Sequence, residues 1–281
     1  MSTVLVTGSS GFIGSHLVAR LKDVGYNVIP FDLDCGCNLK RPLCGFVDSN
    51  VDVIYHLGAM SLSSCRLSPD EAVDINVRGT LNVLEFAREN GAKVVLTSAS
   101  SVYGTPSLTP VVESSMLDPT SLYGATKVCS EVLTRVYGKL YGVPYVVFRL
   151  AGVYGPGQVN GVIPAFLRSV LAGSTVGITG DGSQTRDFVF IDDVIHFLIR
   201  AMDNNITGTF NLATGVNTSI NDLLDTIMLV TGTSVPVKYI RSDADERSLR
   251  NISIERLRAV FGEVPSTSLK DGLRKTWEAF R

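Results

Sequence analysis

In the segment 121–127, Ser-Leu-Tyr-Gly-Ala-Thr-Lys, Tyr123 and Lys127 are four residues apart, so a helix brings them to one face. A free tyrosine, with a pKa of about 10, is a poor base at neutral pH. A nearby ammonium stabilises the phenolate and lowers that value, and any further positive charge adds to the effect. A fall of about three units corresponds to about 4 kcal/mol, which two such charges in a partly dry site can supply. The pair therefore reads as a base, Tyr123, with Lys127 tuning it.

A second stretch, residues 97–104, reads Thr-Ser-Ala-Ser-Ser-Val-Tyr-Gly and crowds hydroxyls at the end of an apolar run. In a strand Thr97, Ala99 and Ser101 share one face and Ser98 and Ser100 the other, although the strand is ending here. Ser98 and Ser100 are candidates to assist Tyr123 through local bending or a bridging water.

The segment 6–17, Val-Thr-Gly-Ser-Ser-Gly-Phe-Ile-Gly-Ser-His-Leu, follows an apolar run and opens a helical pattern. Gly8 makes the tight turn, Gly11 lets backbone approach a pyrophosphate, and Gly14 lets the helix pack close to a sheet. The helix N-terminus, at Phe12 and Ile13, offers N–H groups and a positive dipole end to phosphates. Asp32 ends the next apolar run 18 residues after Gly14. A carboxylate there accepts from both ribose hydroxyls and repels a 2′-phosphate, which favours NAD over NADP. An oxidised nicotinamide is then the second positive charge that Tyr123 needs.

Val- and Ile-rich runs at 3–8, 27–32, 51–59, 93–98 and 144–152 read as buried strands, with amphipathic stretches at 12–24, roughly 70–90, and 120–141 between them. Such alternation predicts an α/β fold, a doubly wound parallel sheet of Rossmann type covered on both faces. After residue 152 glycine-rich loops surround a short helix, so a smaller C-terminal substrate-binding lobe is expected. The predicted organisation is 1–155 plus 187–214 for the NAD-binding domain and 156–186 plus 215–281 for the lobe.

The 281 residues carry a net charge of −2 and no basic run, which argues against nucleic acid or an anionic membrane as the partner. Apolar runs fall far short of the roughly 18 residues of a membrane helix, and no leader is visible, so a soluble, cytoplasmic protein is expected. Five cysteines, an odd count, read as reduced thiols; Cys35, Cys37 and Cys44 match no zinc spacing, and no metal site is expected.

With these residues assembled, the chain resembles the extended short-chain dehydrogenase/reductase family. Within it the nucleotide-sugar epimerases and dehydratases are nearest, those acting on UDP-glucose above all. The motifs run in the family's order: the glycine segment, 52–59, 76–87, 97–104, 123–127, 148–157, 162–166, 180–194 and 210–215. The resemblance implies that Leu57, Gly58 and Ala59 line the dinucleotide groove and that Asn76 sits beneath it. Asn38 and Leu39 would approach the adenine, and Ser98, Tyr123 and Lys127 would reach the cofactor. Arg186 and Arg241 would clamp a diphosphate, a task suited to guanidinium geometry. Val162, Ile163 and Pro164 would border the base, and Ser248 with Leu249 would lie near the position that admits N-acetyl groups. A homodimer would form through 70–90 and 120–141, the latter carrying Val128, Val132, Leu133, Val136, Tyr137 and Leu140.

Two positions depart from the family. Ala99 stands where a Ser or Thr usually bonds the reacting sugar hydroxyl, and Gly152 stands where an Asn usually meets substrate. The implied activity is NAD-dependent epimerisation of a nucleoside-diphosphate sugar through a 4-keto intermediate. A dehydratase, decarboxylase or reductase on the same fold remains an alternative, as does a non-catalytic NAD-binding protein.

Overall fold

A computed structural model of the chain describes residues 2–47, 50–106, 109–241 and 251–281. Ser248 and Leu249 lie outside these residues.

The first part runs β1 (Thr3–Thr7), α1 (Phe12–Asp23), β2 (Asn27–Phe31), β3 (Val53–His56), α2 (Leu62–Leu67) and α3 (Pro69–Ala72). A π-helical turn, Val73–Arg78, leads into α4 (Gly79–Asn90), followed by β4 (Lys93–Ala99), α5 (Leu122–Tyr141) and β5 (Tyr145–Leu150). Strands β2, β1, β3, β4 and β5 lie side by side in that order, all parallel, with Val4 opposite both Val28 and Val53 and Leu96 opposite Val147. Val4–Val6, Val53–Tyr55 and Val94–Leu96 are all buried, as a parallel sheet covered on both faces requires. The doubly wound sheet expected from the sequence is thus present.

The chain builds β2 on one side of β1 and β3 on the other. This reversal opens a crevice beyond the carboxyl ends of β1 and β3, where open α/β sheets bind ligands. Between β2 and β3 the chain makes only two 3₁₀ turns, Leu33–Cys35 and Leu43–Gly45, and no strand among the described residues. Strand β2, with Pro30 near its end, is therefore the outermost strand on that side.

Further along lie β6 (Gly152–Tyr154), α6 (Val162–Leu171), β7 (Val176–Thr179), β8 (Thr185–Arg186), β9 (Phe188–Phe190) and α7 (Ile191–Arg200). The chain ends with β10 (Gly208–Leu212), β11 (Thr218–Ser219), α8 (Ile220–Thr231), β12 (Val237–Ile240), α9 (Glu255–Phe261) and α10 (Leu269–Phe280). Strand β10 adds to the large sheet beside β5.

Two compact units result: 1–104, 113–150 and 195–211 form the first, and 105–112, 151–194 and 212–281 the second. The boundary departs from the one read in the sequence, for pairing reasons. Strand β9 pairs with β6, Gly152 opposite Phe188, so 151–155 and 187–194 go together into the second unit. Val111 likewise bridges Ile252, which takes 105–112 with it. In the second unit β12 lies parallel to β7, and α8 packs against α6 and α10.

Helix α5 begins at a Ser121 cap whose Oγ accepts from Gly124 N (3.1 Å), and it stops at Gly142, whose φ of 69° suits glycine. Its buried face is polar: Thr126, Lys127, Ser130, Glu131 and Thr134. Val132, Val136 and Leu140 instead form an i, i+4, i+8 stripe left 42%, 42% and 64% exposed. Among the described residues no helix is long and apolar enough to cross a membrane.

Candidate active site

The glycine segment turns directly off β1. Gly8 adopts φ +71°, and a Cβ on it would stand 2.6 Å from Gly58 N at the end of β3. A Cβ on Gly14 would overlap the Gly8 carbonyl. The loop is therefore held in place by backbone packed on backbone, which only glycine permits at both positions. Gly11 N donates to Gly8 O (3.1 Å), and Gly11 begins α1.

Asp32 ties this loop to the end of β2. Its Oδ2 accepts from Ser10 N (2.9 Å) and its Oδ1 from Leu33 N (2.7 Å). Each carboxylate oxygen retains acceptor capacity for a ligand hydroxyl. A cavity of about 430 Å³ opens here, and Gly8, Gly11, Asp32, Asn38, Leu39, Leu57, Gly58 and Ala59 all line it. The sequence reading had named each of these. Ser10, Cys37, Met60 and Ile75 also line the cavity, a role the sequence does not assign them; the first three lie in turns and loops without a periodic signal, and Ile75 lies in the π-helical turn. Phe12, Ile13 and Gly14 form the first turn of α1 and are not among the residues that line the cavity.

Asn76 lies in the π-helical turn and is buried. Its Oδ1 accepts from Met60 N (2.7 Å) on the cavity's rim, and its Nδ2 donates to Thr126 Oγ1 (2.9 Å). Thr126 in turn donates to Tyr123 O (2.8 Å). The widened turn leaves Asn76 O to accept from the Thr80 and Ser130 hydroxyls (2.5 and 2.9 Å). One buried amide thus connects the cavity loop to the helix carrying Tyr123 and Lys127.

Lys127 is buried and donates from Nζ to Thr97 O (2.9 Å) at the end of β4; its Nζ lies 5.8 Å from the Tyr123 ring centroid. Burial lowers its pKa to about 8, against the raising influence of Cys65 and Glu131. Burial, with Cys65 adding to it, pushes the Tyr123 phenol up to about 12. The lowering read from the sequence needs the charge of an oxidised nicotinamide as well as that of Lys127. The ammonium is committed to a carbonyl, and desolvation of the phenolate outweighs it. His56, between the Thr7 hydroxyl at Nδ1 (2.8 Å) and the Thr80 hydroxyl at Nε2 (3.0 Å), is held down to about 3 by burial and by Lys127. It is a neutral strut.

Beneath this pair lies a network the sequence did not announce. Glu131, one turn beyond Lys127, receives both Nε and Nη2 of Arg149 on β5, the shorter contact being 2.7 Å. Both side chains are almost wholly buried, at 0% and 1% exposure. Arg149 also donates to the Tyr103 hydroxyl (2.8 Å) and Glu113 O (2.9 Å), and Tyr103 to Asn211 Oδ1 (2.6 Å). The one available signal was Glu131 at i+4 from Lys127.

Ser98 needs correction. Expected among the hydroxyls at the cofactor and substrate, it is buried and donates to Glu131 Oε1 (2.5 Å). Its alternation along β4 turns it toward α5. The strand ends at Ala99, and Ser100–Tyr103 form a 3₁₀ turn that breaks the alternation, with Ser100 half-buried at its start.

The remaining expected residues fall in the second unit. Arg186 is half-buried and donates to the Thr185 carbonyl (2.9 Å), while Arg241 is exposed just after β12. Val162 and Ile163 open α6, with Ile163 buried. Gly152 is crowded: a Cβ there would lie 2.9 Å from Asp187 O, so a larger residue needs the backbone to move.

The family model described as "NAD dependent epimerase/dehydratase family" matches residues 4–213. The chain belongs to this family. A UDP-glucose 4-epimerase of Mycolicibacterium smegmatis is 35% identical, over 99% of this chain and 98% of the relative. A UDP-glucuronic acid decarboxylase (number 3) of Arabidopsis thaliana is 31% identical over 99% and 89%. Among solved structures, the UDP-glucose 4-epimerase of Thermotoga maritima with UDP-glucose has a TM-score of 0.90 and 30% identity, covering 99% of this chain and 98% of that one.

The family's cofactor, NAD, fits the residues present. At Gly8 and Gly14 the cradle has no room for a side chain, and Asp32 presents acceptors but no cation to a ribose. Replacing Asp32 with Ala is expected to weaken NAD binding about tenfold and to narrow the preference over NADP, measured by fluorescence titration of both.

Proposed function

We propose that this member of the family is an NAD-dependent epimerase acting at C4 of a nucleoside-diphosphate sugar, of the UDP-glucose 4-epimerase type. The observation that carries it is the placement of Tyr123 and Lys127. They occupy the start of α5, joined through Asn76 to the glycine-lined cavity and through Thr97 to the end of β4. Whole-length identity of 35% to a UDP-glucose 4-epimerase supports the same reading.

Gly8, Gly11, Asp32, Leu57 and Gly58 would hold NAD, which when bound supplies reversible hydride exchange at the sugar's C4. Tyr123 takes the C4 hydroxyl proton in one direction and returns it in the other. Lys127 stands beside the ring and favours the phenolate. Burial excludes water from both groups and strengthens their electrostatic coupling. Arg186 and Arg241 are proposed for the diphosphate and Val162 and Ile163 for the base.

The test is product analysis across UDP-, GDP- and dTDP-hexoses with added NAD. Conversion of a 4-epimer pair without net NADH production is expected; no conversion of any pair would sink the reading. The 31% relatives that decarboxylate a UDP-hexuronate favour a second reading, which release of carbon dioxide from UDP-glucuronate would reveal.

A homodimer through α4 and α5 belongs to the same proposal. Val132, Val136, Leu140 and Tyr141 of α5, together with Leu81 of α4, present apolar surface on the outside of the first unit. Val132→Glu combined with Val136→Glu is expected to halve the mass measured by sedimentation while leaving the far-UV spectrum unchanged.

A further inference from the structure

We infer that Ser101 supplies the sugar-facing hydroxyl that Ala99 cannot, so that the position of this contact has moved two residues along the chain. This rests on the epimerase reading above. Three of the four hydroxyls at the end of β4 have distinct fates. Thr97 Oγ1 donates to His56 O (3.3 Å), and Ser98 Oγ donates to Glu131. Ser101 Oγ is buried with no hydrogen-bond partner among the described residues. Native structures seldom leave such a group unpaired without a use for it.

The location fits a ligand contact. Ala99, with φ −143° and ψ 153°, is the last extended residue, after which the 3₁₀ turn carries Ser101 against the opening turn of α5. The Ser101 carbonyl lies 2.9 Å from where a Cβ on Gly124 would stand, and Gly124 follows Tyr123 directly. The fold holds that approach open with a glycine. A hydroxyl both donates and accepts, as does a sugar hydroxyl. Ser101 therefore holds the C4 oxygen by a hydrogen bond while Tyr123 takes its proton, and the serine itself ends the step unchanged. Glycine at 124 and serine at 101 act as one feature here, the first making room and the second using it.

The test compares wild type, Ser101→Ala and Ser101→Ala with Ala99→Ser. The readouts are epimerase kinetics on UDP-glucose and UDP-galactose, calorimetric binding of UDP, and thermal melting. Ser101→Ala is expected to lose about tenfold or more in kcat/KM, chiefly in kcat, the loss of a hydrogen bond made to the reacting group. UDP, which lacks the sugar, should bind as before. The melting temperature should stay level or rise, because an unpaired buried polar group has been removed. Restoring a hydroxyl at position 99 should recover much of the loss. An active wild type with an equally active Ser101→Ala overturns the assignment alone. A Ser101→Ala that loses activity, UDP affinity and melting temperature together also overturns it, since that is the pattern of a structural role. A wild type that converts no nucleotide sugar overturns the epimerase reading and this inference with it.

Discussion

Tyr123→Phe is expected to leave a folded protein that still binds NAD but has lost about a thousandfold in kcat. The size follows from the role. A positioned acid–base group contributes on the order of 10²–10⁴, and nothing else described at the start of α5 can replace this one. His56 is neutral and engaged at both nitrogens, and Lys127 Nζ is engaged with Thr97 O. Burial holds the phenol at about 12, so ionising it at pH 7 asks about 7 kcal/mol of its surroundings. Among the described residues the hydroxyl makes no hydrogen bond that the fold depends on, so stability should be little changed. Single-turnover measurement of sugar oxidation in the variant, beside an NAD titration, separates lost chemistry from lost binding. Retention of full turnover would remove Tyr123 from the mechanism.

The second large effect lies deeper. Glu131→Ala leaves the Arg149 guanidinium, 1% exposed, without its carboxylate, and breaking a buried pair from one side costs about 3–5 kcal/mol. For a chain of this size that corresponds to a fall in melting temperature of about ten degrees. Glu131→Ala removes the hydrogen bonds and charge that hold the Arg149 pKa above its ordinary value against burial, yet a guanidinium stays protonated in proteins, so the arginine cannot relieve its isolation by losing a proton. Glu131→Leu with Arg149→Met should recover most of the stability, since apolar residues of similar volume replace such pairs at little cost. Activity should not return with it. Glu131 also receives Ser98 and raises the Lys127 pKa, so the apolar pair should leave the lysine less protonated near neutral pH. Thermal melting and a pH–rate profile of the three proteins read the two effects separately.

What the sequence made legible is uneven, for physical reasons. The strand read at 93–98 is β4, Lys93–Ala99, because a continuous Val-Val-Leu run between two turns has few other homes. The glycine loop and Asp32 converge as expected, since their spacing encodes a local turn and a neighbouring strand end. Glu131 and Arg149 were hidden because they meet across a helix and a strand, and their pairing has no local signature. Helix α5 also defeats a simple hydropathy argument. Its valines were expected to serve core and partner alike, yet Lys127, Ser130 and Glu131 claim the inward face and leave Val132 and Val136 outside. The direction of the Tyr123 shift depends on how completely the ring is dehydrated, which spacing does not express. Between Asp32 and Val51 no strand forms among the described residues, in keeping with the absence there of any Val- or Ile-rich run in the sequence.

That short segment leaves its mark at the border of the sheet. With no strand outside it among the described residues, β2 has one side on which no sheet neighbour takes up its backbone groups, the arrangement on which a foreign extended chain most readily grows. Pro30 occupies this strand opposite Val6, and a proline has no amide hydrogen to lend. Its ring interrupts the run of donors that a stray segment would need. A single imino acid thus keeps the bared border of the sheet from recruiting a foreign strand.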